Sequence, residues 1–297
     1  MIDRIAVGID GFDEGRDAAV LGAMIARAIG AELLLVAVHP NPLIVLPQEL
    51  GWTGLHKRAE ASLRETRDAI APGARIAVET DWSVTRALDR VVEREQRDLL
   101  VLGSSRSGPD GRVRIGGRTR QLLYHGACAL AVAPRGLGAR PARELTSLGV
   151  GYDGGPESQA ALAVAGSIAQ SAGAALLVQG VVDDRLPAVG WSQSELARVE
   201  AMWDELLEPE LRSLREQTQR AAQATSAAAE VDVLRGHPAA ALAQLGDRAD
   251  LLVIGSRRWG AAARVLLGST GEALMHDARC PVMVVPRPAD TPSPPGR

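Results

Sequence analysis

The sequence predicts an α/β protein of two tandem domains, each a parallel sheet covered by helices on both faces. Three observations carry this. Short apolar runs such as "RIAVGI", "AELLLVAV" and "DLLVLG" alternate with longer segments whose apolar residues recur at helical spacing. Strands joined through helices run parallel, and strands buried on both faces lose the polar alternation of a half-exposed sheet. The chain also repeats itself: "DLLVLGSSRSGPDGRVRIGGRTRQLLYHGACALAVAPR" (98–135) aligns without a gap on "DLLVIGSRRWGAAARVLLGSTGEALMHDARCPVMVVPR" (250–287), an offset of 152. Upstream, "IAVGIDG" (5–11) matches "LGVGYDG" (148–154), and "AELLLVAV" (31–38) matches "AALLVQGV" (174–181), both at an offset of 143. Finally, a period of that length is a whole domain rather than a solenoid repeat, and 297 residues hold two ordinary domains.

In order, the first strand is expected at 4–9, a helix at 14–29 and the second strand at 31–38. A helix at 54–70, a strand at 74–79 and a helix at 84–96 follow. "DLLVLG" makes the fourth strand, "RTRQLLYHG" a helix and "ALAVAP" the last strand. The second half repeats this order with a longer helix at 193–228, where Leu196, Val199, Met202, Leu206, Leu207, Leu211 and Leu214 fall at helical spacing. That stripe reads as core first and as a partner surface second. The seam is the Gly/Pro/Arg stretch "RGLGARPAREL". The domains are therefore expected at 1–138 and 139–288, with 289–297 a disordered, proline-rich tail.

Composition removes whole classes of function. A formal charge of −3 argues against nucleic acid as a partner, and no apolar run approaches the length of a membrane span. The start "MIDRIAVGID" is not a signal peptide, so a cytoplasmic location is expected. Cys128 and Cys280 are too few for a disulfide framework and read as small buried hydrophobes; the five histidines lack metal-ligand spacing. Lys57 is the only lysine, which excludes a Walker A loop and a lysine-dependent kinase site.

Ligands of open α/β sheets bind beyond the carboxyl ends of the strands, where the strand order reverses. The residues there are Asp10, Val38 and Gly103-Ser104 in the first half, and Asp153, Val181 and Gly255-Ser256 in the second. Small residues at a strand end expose backbone N–H groups, and the helices starting near Gly116 and Gly268 present a positive dipole end. The carboxylates suit a ribose or base and the valines a purine face, so the pattern suggests a nucleotide with its phosphates on the loop. Against this, Asp-Gly is a common turn pair and the arginines of the loop are ordinary solvated residues. Trp259, beside the second loop, either caps the site or packs on the surface.

At this point both halves resemble universal stress protein domains, and the chain resembles a tandem member of that family. The family's loop reads Gly, two residues, Gly, nine residues, Gly, then Ser or Thr. The outer glycines keep that spacing here, Gly103 to Gly116 and Gly255 to Gly268, and "LLGST…ALMHDARCPVMVVPR" is especially similar. The resemblance implies a Rossmann-like domain of the adenine-nucleotide-binding type, with strand order 3-2-1-4-5. It also implies last strands that pair across a two-fold axis, here an internal pseudo-dimer, with a homodimer of chains as a further possibility. Many members bind ATP, in which case Mg²⁺ accompanies the phosphates. Arg106 and Arg258 stand at the middle glycine, where arginine either weakens the site or adds a counter-charge. Gly117 follows Gly116, with Thr119 the nearest matching hydroxyl, whereas Ser269 and Thr270 follow Gly268 directly. The second half thus has the better loop and the first more positive charge, from Arg106, Arg112, Arg114, Arg118 and Arg120; the balance favours binding in the second half and leaves binding in both open. The expected function is an ATP-binding stress-response protein that acts through conformation or an unidentified protein partner rather than turnover, since no general base, nucleophile or metal cluster recurs in the motif region. An interaction module that has lost its nucleotide is the alternative, and a slow ATPase the last.

Overall fold

The computed structural model describes residues 2–39, 52–125, 128–140, 144–186, 192–256 and 267–286. In the first half β1 (Arg4–Ile9), α1 (Asp13–Ile29), β2 (Glu32–His39), α2 (Trp52–Ile70) and β3 (Arg75–Thr80) come first. They are followed by α3 (Val84–Arg94), β4 (Leu99–Gly103), α4 (Gly117–His125) and β5 (Ala129–Ala133). The second half repeats the plan as β6 (Ser147–Tyr152), α5 (Pro156–Ala172), β7 (Ala175–Val182), α6 (Gln193–Gln223) and β8 (Ala229–Arg235). It closes with α7 (Pro238–Gly246), β9 (Leu251–Gly255), α8 (Ser269–Asp277) and β10 (Val282–Val285). The α1 helix ends where the chain turns left-handed at Gly30, and α5 ends in the same way at Gly173.

The described strands form one sheet in the order β3-β2-β1-β4-β5-β10-β9-β6-β7-β8. Each half is parallel with the order 3-2-1-4-5, and the halves join where β5 and β10 pair antiparallel, Ala131 opposite Met283. One apolar cluster lies under α1, α2, α5 and α6, and a second under α3, α4, α7 and α8. Both cysteines are buried in the second cluster, and burial pushes each thiol up to about 12. The seam is held to α1 by Asp17, whose carboxylate accepts the Gly136 and Gly138 N–H groups at 2.8 and 2.6 Å.

The join is more than a pair of strands. The loop after β4 crosses to the second half, where the N–H groups of the buried Val113 and Ile115 donate to the Ala278 and Met275 carbonyls at 2.7 and 3.1 Å. Arg112 binds the Asp277 carboxylate at 2.6 Å, and Arg120 reaches both Glu272, at 3.2 Å, and His276, at 3.1 Å. One expectation is corrected: Leu207, Leu211 and Leu214 of α6 are buried as predicted, but Met202 and Leu206 are 56% and 57% exposed. Trp203 and Leu207 in the same turns pack on the core, so Met202 and Leu206 lie on the opposite, outward face of the helix.

Candidate functional site

Asp10 and Asp153 each follow the first strand of their half and are followed by a glycine at φ +78° and +79°. Each carboxylate oxygen Oδ1 accepts a backbone N–H two residues on, from Phe12 at 3.1 Å and Gly155 at 2.8 Å. The turn reading is therefore true of both, and the turn is what aims the carboxylate over the strand ends.

In the second half these strand ends surround a cleft of about 770 Å³. Asp153, Val181, Gly255, Ser256, Gly268, Ser269 and Thr270 all line it, contributed by the ends of β6, β7 and β9 and the start of α8. Arg258 and Trp259 lie outside the described residues. Gly268 is the N-cap of α8 and no side chain caps it, so the first N–H groups of that helix face the cleft beside the Ser269 and Thr270 hydroxyls. The Ser256 hydroxyl oxygen and the Gln179 amide nitrogen are buried with no hydrogen-bond partner. A buried polar atom left unpaired costs free energy, and a ligand site is one of the few settings that explains two of them together.

In the first half the aspartate has the loop arginine beside it. Arg106 folds back so that its guanidinium lies 3.2 Å from the Asp10 carboxylate, 3.6 Å from Glu14 and 3.4 Å above the centre of the Phe12 ring. The place expected to receive a ribose is thus held by the protein's own cation. Among the described residues only Gln96 is a non-glycine with positive φ, so Arg106 replaces the middle glycine without backbone strain. Ser104 is spent inside the loop: its hydroxyl donates to the Ala133 carbonyl at 2.7 Å and accepts the Arg114 N–H at 3.1 Å. Thr119 is buried in α4, one turn past Gly116, and Val38 is half-buried against the second apolar cluster.

Gly103 and Gly255 receive a reason the sequence did not offer. A Cβ on Gly103 would lie 2.0 Å from the Glu14 carbonyl oxygen, and one on Gly255 would lie 2.5 Å from that of Glu157. Both positions are glycine because the helix that follows the first strand of each half, α1 or α5, presses its first turn against the end of β4 or β9. Sequence reasoning also missed Glu157, Glu272 and Gln179, all of which line the cleft. Glu157 had a signal, since Glu14 is its counterpart at the same offset of 143 as the strands. Gln179 had another, a lone amide inside an apolar run.

Comparisons with known proteins agree with the repeat. The profile of the Universal stress protein family matches residues 1–134 and again residues 145–286. A universal stress protein of Mycobacterium tuberculosis is 27% identical over 300 residues, which cover 94% of this chain and 96% of that one. Another, from Mycobacterium bovis, is 34% identical over 314 residues, covering 96% of each. The crystal structure of a universal stress protein from Archaeoglobus fulgidus has a TM-score of 0.64 over 97% of this chain and 98% of that one, at 18% identity. At that identity the likeness concerns the fold. None of the described helices is long and apolar enough to cross a membrane.

Proposed function

The chain belongs to the universal stress protein family, and on that premise we propose that it is a regulatory protein that binds one ATP in the cleft of its second half. The observation that carries this reading is the convergence there of Asp153, Val181, Ser256 and the uncapped start of α8. A cleft of about 770 Å³ lies within the usual range for small-molecule sites, roughly 300–1,000 Å³. The purine would lie against Val181, with Asp153 accepting ribose hydroxyls. The phosphates would take the N–H groups that follow Gly268, together with the Ser269, Thr270 and Ser256 hydroxyls. Mg²⁺ would enter on the triphosphate and be held mainly by phosphate and water; among the described residues no three His, Cys, Asp or Glu side chains gather to hold a metal.

We read the output as binding rather than turnover, with the nucleotide-bound form offered to a partner protein. The interaction-module alternative is favoured by an observation in the first half, where Arg106 holds Asp10 at 3.2 Å.

Titration calorimetry with ATP and Mg²⁺ on nucleotide-free protein tests this. The expected result is one site per chain at micromolar affinity, weakened by Asp153→Ala and unmoved by Asp10→Ala. Absence of heat at millimolar ATP would sink it, and phosphate release proportional to protein would turn it into a hydrolase.

A further inference from the structure

Gln179 sits in the middle of β7, inside the run "ALLVQGVV", where its neighbours are apolar. Only 6% of the residue is exposed, it lines the cleft, and its side-chain amide nitrogen has no hydrogen-bond partner. Its counterpart in the first half is Val36, a fully buried member of the apolar cluster. The neighbour in register on β6 is Gly151, which brings no side chain between Gln179 and the cleft. Two residues further along the same face of β7 is Val181, beside which the purine would lie. A valine would satisfy this position on packing grounds, as it does in the other repeat. An amide there leaves a buried donor with no partner within the protein, which is the signature of a group kept for something that binds.

We propose that Gln179 reads the base of the bound nucleotide, its side-chain N–H donating to an acceptor nitrogen of the purine. The inference rests on the nucleotide reading of this cleft and adds to it the residue that distinguishes a base-bearing ligand from a bare polyphosphate. The carbonyl of the same planar amide lies beside that N–H, where it would accept from a neighbouring amino donor. Adenine offers that adjacent donor–acceptor pair on its edge, and an amide meets it in bidentate fashion. Because the first half has valine in this place, the two halves differ in base recognition.

The test compares wild type with Gln179→Val, the residue of the other repeat, and Gln179→Glu, which keeps the shape and removes the donor. Gln179→Val should melt at a higher temperature than wild type without ligand, since an unpaired amide gives way to an apolar group. The same variant should bind ATP roughly tenfold more weakly, the loss of one good hydrogen bond. Its affinity for inorganic tripolyphosphate should stay unchanged. Among the deaza analogues of ATP lacking one ring nitrogen each, one should bind wild type about as weakly as ATP binds the variant, and should lose nothing further in the variant. Equal ATP affinity in wild type and both variants would overturn the proposal while leaving the nucleotide site intact. So would an equal loss for tripolyphosphate. Failure of wild type to bind ATP at all would instead overturn the nucleotide reading itself.

Discussion

Replacing Arg106 by alanine should open the first half to nucleotide, and the size of the effect follows from what holds the arginine in place. Its ion pair with Asp10, 3.2 Å long, joins side chains that are 55% and 47% exposed. Pairs so exposed contribute about 0.2–1 kcal/mol. The guanidinium lies 3.4 Å over the Phe12 ring, which adds about 0.5–1 kcal/mol at an exposed site. A ligand that needs Asp10 must displace both, so the arginine opposes binding by about 1–2 kcal/mol, or about five- to thirtyfold in affinity. The measurement is calorimetry in an Asp153→Ala background, where the second site is weakened and any binding gained on adding Arg106→Ala, and lost again with Asp10→Ala, belongs to the first half. Arg106→Ala should strengthen that binding by this factor. If the affinity of the first half stays within about twofold, the arginine is not what closes it and the reasoning fails.

Three further outcomes are expected. Gly255→Ala places a Cβ 2.5 Å from the Glu157 carbonyl oxygen, backbone against backbone, and should cost about 1–3 kcal/mol, lowering the melting temperature by about 2–4 °C per kcal/mol; an unchanged melt would mean that α5 moves freely. Asp81 accepts hydrogen bonds from Arg86 at 2.6 Å, from the Ser83 N–H at 2.9 Å and from Arg90, and the Arg86 bond chiefly holds its carboxyl well below the usual 3.8. Its contribution is therefore present above pH 3.8 and lost as the pH falls through the depressed value, so the stability gap between wild type and Asp81→Asn in urea titrations should narrow from pH 7 to pH 3; a constant gap contradicts the assignment. Cys128 and Cys280, buried and pushed up to about 12, should resist a thiol reagent at pH 8 in the native protein and react once it is unfolded, whereas rapid native labelling would show that the second core opens.

The fold was legible because parallel strands covered on both faces must be apolar along their whole length, as "LLLVAV" and "LLVIG" are. The repeat then placed Asp10 and Asp153, Val38 and Val181, and the glycine pairs at strand ends without reference to any contact. What stayed hidden depends on where long side chains turn. Nothing in "GSSRSG" says that Arg106 lies back over Phe12 rather than out in solvent, because both directions are staggered and cheap. The reason for Gly103 was also out of reach, since a glycine pressed by a helix and a glycine beside a phosphate read alike. Gln179 could have been found by asking why one apolar run carries an amide where its copy carries Val36.

Arg120 and Glu272 occupy the same position in the two repeats, 152 residues apart, and they meet across the axis that sets Ala131 opposite Met283. In a dimer of identical subunits, a position on the two-fold axis can only face its own copy, so a charge there opposes itself. Fusing the two halves removes that restriction, and this chain has used the freedom to place opposite charges on the axis. Two first halves brought together would set arginine against arginine, and two second halves glutamate against glutamate. At 37% and 43% exposure the pair contributes about 0.2–1 kcal/mol, a small bias toward pairing unlike halves rather than like ones.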